Sequence, residues 1–151
     1  MPDSAQQMLF GVHFNLTDAG VRHGEVHSDT AYMYDENTRT ELKHVDATFF
    51  SAAGERNATL TSKTGTYHVR VGSMEARGNV VVVSTDGRKL ETPQLRYDPT
   101  RNEITSDSAF TLTTPENTVT GVGFVSDPNM RNIKILRAAK ATGKSVTIPK
   151  R

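Results

Sequence analysis

Apolar and polar side chains alternate along most of this chain with a period of two. Met8, Phe10, Val12, Phe14 and Leu16 share one parity; Gly11, His13, Asn15 and Thr17 hold the other, and only Leu9 interrupts the scheme. Such alternation sends successive side chains to opposite faces of a strand, so one face of residues 8–16 is expected to be buried. Further strands are predicted over 21–34, 42–51, 58–71, 74–84, 90–97, 104–113, 119–126 and 132–136. Turn-forming residues separate them: Asp18-Ala19-Gly20, Asp35-Glu36-Asn37-Thr38, the segment around Gly54, Gly72-Ser73, Asp86-Gly87, Asp98-Pro99, Pro115-Glu116-Asn117 and Asp127-Pro128-Asn129. No segment has a convincing helical period, and 138–144 lacks an apolar face. Connections this short pair each strand with its neighbour. The expected fold is therefore all-β: an antiparallel meander of about nine strands, curled or folded into two facing sheets to bury its apolar parity.

A strand-and-turn unit recurs about every 30 residues. Leu95-Arg96-Tyr97-Asp98-Pro99 with Ile104 is matched by Phe124-Val125-Ser126-Asp127-Pro128 with Ile133. Earlier copies carry Tyr67 with Met74, and Tyr32-Met33-Tyr34-Asp35 with Leu42. Aligned copies put Tyr32, Leu95 and Phe124 at one inward position, and Tyr34, Tyr67 and Tyr97 at another. Val80 matches Phe110, and Val82 matches Leu112. Gly65 and Ser126 replace a large side chain in two copies, so the interior is either a poorly filled core or a trough that something else fills.

Composition narrows the class. Twenty threonines and runs such as Val80-Val81-Val82-Val83 favour strands. With 18 basic and 17 acidic residues the chain lacks the basic excess of a general nucleic-acid binder, so no nucleic acid is expected as a partner. Cysteine is absent, which excludes disulfides and thiolate chemistry. No stretch reaches the roughly 20 apolar residues that span a bilayer. The start, 1–7, shows no structural pattern, the domain is expected over 8–137, and 138–151 reads as a basic, flexible tail.

Candidate chemistry is sparse. Ala141-Thr142-Gly143-Lys144-Ser145 ends like a phosphate-binding loop but has Ala138 where the first glycine belongs. His23 and His27 have metal-pair spacing for a helix, but on a strand they stand roughly 13 Å apart. Asp35-Glu36-Asn37 begins like a calcium loop but has Thr40 and Asp46 at the diagnostic glycine and glutamate positions. These read as tail, surface histidines and turn. No cofactor, metal or catalytic residue is expected, and the chain is read as a non-enzyme.

The stretch 78–98 (G-N-V-V-V-V-S-T-D-G-R-K-L-E-T-P-Q-L-R-Y-D) resembles the OstA-like periplasmic domain in its order G-x-V, D-G, L-x-T and L-x-Y-D; Ser106-Asp107 and Gly121-Val122-Gly123-Phe124 continue it. The opening, with the Phe14–Leu16 strand and then 20–30, looks more like the LptC family, periplasmic lipopolysaccharide-export proteins tied to an inner-membrane ABC transporter. This resemblance covers roughly 8–137. It implies a twisted β-jellyroll with an open apolar groove, in which lipopolysaccharide is received from the transporter and handed, chemically unchanged, to the periplasmic bridge protein LptA. It also implies a periplasmic location and an inner-membrane anchor upstream of Met1. On this reading the lipid groove is lined by Phe10, Val12, Phe14, Tyr32, Tyr34, Val80, Val82, Leu95, Tyr97, Phe110, Leu112 and Phe124. Partner edges run through Leu9, Val12 and Leu16 towards the transporter and through Ile133, Ile135 and Leu136 towards the bridge; edge pairing also allows self-association. The alternatives are the LptA-like bridge component itself, a self-assembling β-scaffold of the bactofilin type, and a β-helical carbohydrate-active enzyme, for which clustered carboxylates are missing.

Overall fold

The computed structural model describes residues 7–34 and 38–143, with the side chains of 138–143 excepted. Nine strands follow one another: β1 (Gln7–Asp18), β2 (Val21–Tyr34), β3 (Arg39–Phe50), β4 (Arg56–His68), β5 (Ser73–Ser84), β6 (Lys89–Asp98), β7 (Glu103–Thr113), β8 (Asn117–Ser126) and β9 (Lys134–Gly143). Each pairs antiparallel with its sequence neighbour, giving a single nine-stranded sheet in the order β1 to β9. The two expected facing sheets are thus one continuous sheet coiled on itself. Consecutive antiparallel pairing also differs from the parallel stacking of a β-helix, which sets that alternative aside. Among the described residues no helix is long and apolar enough to cross a membrane.

Contacts between distant strands show the coiling. Phe14 on β1 packs on Tyr67 of β4 with ring centroids 4.5 Å apart, and Phe49 on β3 packs on Tyr97 of β6 at 4.9 Å. One core fills the space between, with Val26, Phe49, Leu60, Val82, Leu90, Leu95, Tyr97, Ile104 and Phe124 all essentially without exposure. The position of Gly65 is occupied rather than vacant: an added Cβ would stand 3.0 Å from Val45 Cγ2 and 3.1 Å from the Glu75 carbonyl.

A crease crosses the sheet, and the sequence pattern did not reveal it. On β2 the buried residues are Val26 and Ser28, then Ala31; on β3 they are Ala47 and Val45, then Leu42. Two consecutive residues therefore face outward on each strand, at 29–30 and 43–44. The same step recurs near Lys63-Thr64 on β4, Pro93-Gln94 on β6 and Val122-Gly123 on β8, while on β5 three residues, 77–79, separate the buried Ala76 and Val80; register shifts mark the pairing there. Left-handed backbone at His44, Gly78, Asn79 and Gly123 accommodates several of these steps. Buried hydroxyls line the crease. Ser28 Oγ donates to the carbonyls of Lys43 (2.7 Å) and Thr30 (3.0 Å), Ser62 Oγ to Thr64 (2.9 Å) and Thr92 Oγ1 to Ala109 (3.0 Å), while Ser106 Oγ accepts from the Ser108 N–H (3.0 Å). Bulges bend the strand that carries them, so a line of them folds one sheet into two facing layers.

Two expected boundaries move. The last strand begins at Lys134 and continues through Gly143, so the part of the expected tail up to Gly143 is paired with β8. Ile133 precedes that strand. The start at 1–6, the turn residues 35–37 and the tail from 144 lie outside the described residues.

Candidate functional site

The apolar interior is the candidate site, and the crease decides which residues reach it. Below the crease the inward row runs Ala31, Leu42, Gly65, Ala76 and Leu95, and the next runs Met33, Thr40, Tyr67, Met74, Tyr97, Ile104 and Ser126. Val80, Val82, Leu95, Tyr97, Phe110, Leu112 and Phe124 all belong to the buried core, as their repeat positions suggested. Phe110 and Phe124 meet edge to face at 5.1 Å. Val12 and Phe14 are half-buried against this core, together with Tyr67 and Ile133.

Phe10 and Tyr32 do not line the interior. Gly11 has a left-handed φ of 61°, and across this step Phe10 falls out of the parity of Val12 and is 72% exposed. Tyr32 pairs with Met8 and Glu41, on the row that carries Thr66, Glu75 and Arg96 on the outer face. Tyr34 pairs with Arg39, whose guanidinium lies over its ring at 4.6 Å; it is buried but stands outside the core cluster. A one-residue step in parity is enough to turn a whole half-strand over. Met33 holds an inward position that the repeat assigned to its neighbours, and Tyr67 is inward at its repeat position.

Burial governs the titratable groups here. Tyr97 is pushed up, first by burial and then by the charges of Asp98 and Asp18; its hydroxyl donates to Asn102 Oδ1 at 2.8 Å. Burial also raises Tyr67. On the outer face burial pushes the Glu75 carboxyl upward, but bonds from Arg77 (3.0 Å) and His68 (3.3 Å) and the charge of Arg96 hold it below its ordinary value. None of these groups is paired as a nucleophile with a base.

The interior is largely filled by the chain's own side chains, and one end is stoppered. The β8–β9 connection turns on Asp127, whose Oδ1 accepts the N–H groups of Arg131 (3.0 Å) and Asn132 (3.2 Å). This turn inserts Met130, 2% exposed, into the core. Arg131 Nε reaches Asp86 Oδ2 at 3.3 Å, and Asn129 Nδ2 reaches Asn57 Oδ1 at 3.4 Å, so the loop is strapped to the β5–β6 turn and to the start of β4. A cleft of about 990 Å³ opens across β5 to β8, walled by Val80, Val81, Pro93, Phe110, Thr111 and Val122 among others.

The expected partner edges are in part the sheet's edges: β1 and β9 each pair on one side only. Their side chains differ in access. Leu9 is 36% exposed, Val12 and Leu136 are half-buried, and Leu16 and Ile135 are buried in the core. Backbone, rather than Leu16 or Ile135, is what these edges present.

The family model described as "Lipopolysaccharide-assembly, LptC-related" matches residues 2–144. No curated protein matches the chain. Among solved structures the chain is similar to LptH, the LptA-homologous periplasmic component of the conserved lipopolysaccharide transport device from Pseudomonas aeruginosa. The two are 20% identical over 84% of this chain and 89% of that one, with a TM-score of 0.59. At that identity the likeness is one of fold, a β-jellyroll of LptA type.

Proposed function

The chain belongs to the LptC-related lipopolysaccharide-assembly family, and from that premise we propose that it receives lipopolysaccharide from an inner-membrane ABC transporter and passes it on to an LptA-like bridge domain. Transport of lipopolysaccharide, in the periplasm, is the family's work, and its members are transport proteins rather than enzymes. The receiving and passing roles, and an anchor that would hold the chain to the inner membrane, are our reading.

One observation carries it: a single apolar interior bounded by two open sheet edges. Each acyl CH₂ exposed to water costs about 0.8 kcal/mol, so tails need a continuous dry lining along their path. The fully buried residues Val82, Leu95 and Phe124 are the floor of that lining. Val12, Phe14, Tyr67 and Ile133 are its fringe, partly accessible from outside and therefore the first side chains a tail would displace. The open backbone of β1 and of β9 offers ladder positions to a preceding and a following domain.

Photo-crosslinking tests the lipid path. A photoreactive residue at Phe14, Tyr67 or Phe110 should trap lipopolysaccharide, and one at outward-facing Thr48 should not. Absence of adducts at all three inward sites, with far-UV circular dichroism unchanged, would refute the reading; so would equal adducts at Thr48.

A further inference from the structure

His13 on β1 and His27 on β2 are direct cross-strand partners, a relation that depends on register and that sequence spacing conceals. Their rings stack with centroids 4.4 Å apart and 17° between planes. Both present Nε2 to one carboxylate: His13 Nε2 lies 3.3 Å from Glu25 Oε2, and His27 Nε2 lies 3.3 Å from Glu25 Oε1. One ligand atom from each of the three side chains falls within 4.8 Å of the others. Zn–N and Zn–O bonds of about 2.0–2.1 Å in a tetrahedron separate neighbouring ligand atoms by about 3.3 Å, so three ligand atoms within 4.8 Å of one another are near enough to converge on one ion with small side-chain rotations.

We propose that His13, Glu25 and His27 form a binding site for a divalent transition metal on the outer face of the β1–β2 pair. Two imidazoles and one carboxylate suit Zn²⁺, Cu²⁺ or Ni²⁺ rather than Ca²⁺ or Mg²⁺, which take oxygen ligands. The side chains of His13 and His27 are about half exposed, so the fourth coordination position faces outward, open to water or to a ligand from a docked partner. Arg22 Nη1, 3.5 Å from Glu25 Oε2, is the group a metal would displace. The bound ion would cross-link the edge strand to the body of the sheet, where β1 otherwise has a ladder on one side only.

Titration of the metal-free protein with ZnCl₂ in a calorimeter tests this. One equivalent should bind with a dissociation constant on the order of 1 µM. His13→Ala and His27→Ala should each weaken binding by about tenfold or more and abolish the rise in melting temperature that the metal gives the parent protein. His44→Ala, which removes a histidine paired instead with Asp29 at 2.8 Å, should leave both readouts unchanged. Arg22→Ala should bind at least as tightly as the parent. No saturable binding up to about 1 mM Zn²⁺ would overturn the proposal. Equal losses in His44→Ala and His13→Ala would do the same.

Discussion

Ser28→Ala tests whether the crease is held by its buried hydroxyls. The Ser28 hydroxyl, 6% exposed, bridges Thr30 on its own strand and Lys43 on the next. A neutral hydrogen bond contributes about 0.5–1.5 kcal/mol net, and leaving a buried group without a partner costs about 1–3 kcal/mol. One proton is shared between two acceptors, so the contributions do not add in full, and we expect a loss of about 1–2 kcal/mol. For a domain of this size that lowers the melting temperature by about 3–8 °C. Urea unfolding followed by far-UV circular dichroism should show a lower midpoint with an unchanged slope. Ser51→Ala is the control: its hydroxyl accepts a 3.3 Å bond from the Glu55 N–H in an exposed turn, and its loss should stay within about 0.5 kcal/mol. If Ser28→Ala also stays within about 0.5 kcal/mol of the parent, the hydroxyl does not hold the crease. An equal loss at Ser51 would sink the reasoning in the same way.

Met130→Ala should destabilise the fold by about 2–5 kcal/mol, because the side chain fills one end of the core; a loss below about 1 kcal/mol would show that the strapped loop is no stopper. The Glu75 carboxyl has a depressed folded-state pKa, so its contribution is present above its unfolded value of 4.5 and is lost as pH falls through the folded value. The stability difference between the parent and Glu75→Gln should therefore be largest near neutrality and shrink below about pH 4.5; a difference constant down to about pH 3 would contradict the ion-pair network.

Strands were legible wherever alternation and turn residues agreed. Asp86-Gly87 sits between β5 and β6, and Val80, Val82, Leu95, Tyr97, Phe110, Leu112 and Phe124 are core as the repeat implied. Phe10 and Tyr32 were misplaced for one reason: parity was carried through a strand that steps by one residue in the middle. A signal for that step exists in the mid-strand triplets Ser28-Asp29-Thr30, Ser62-Lys63-Thr64 and Ser106-Asp107-Ser108, joined by Thr92-Pro93-Gln94. Each pairs a small hydroxyl with a further polar residue two positions on, where a strand interior would otherwise alternate. β9 was underestimated because 138–143 has no apolar alternation of its own; its pairing partner β8 defines it. The His13–Glu25–His27 group could not be read from spacing at all, since a two-strand register brings it together.

Because the step recurs strand after strand, the molecule is two stiff panels meeting along one line. Within a panel, every rung of the ladder fixes the next, so the panel's outline hardly changes. The distance between panels is then governed by a single opening angle at their shared margin. A change in that angle would widen or narrow the space between the panels with no rung broken in either wall.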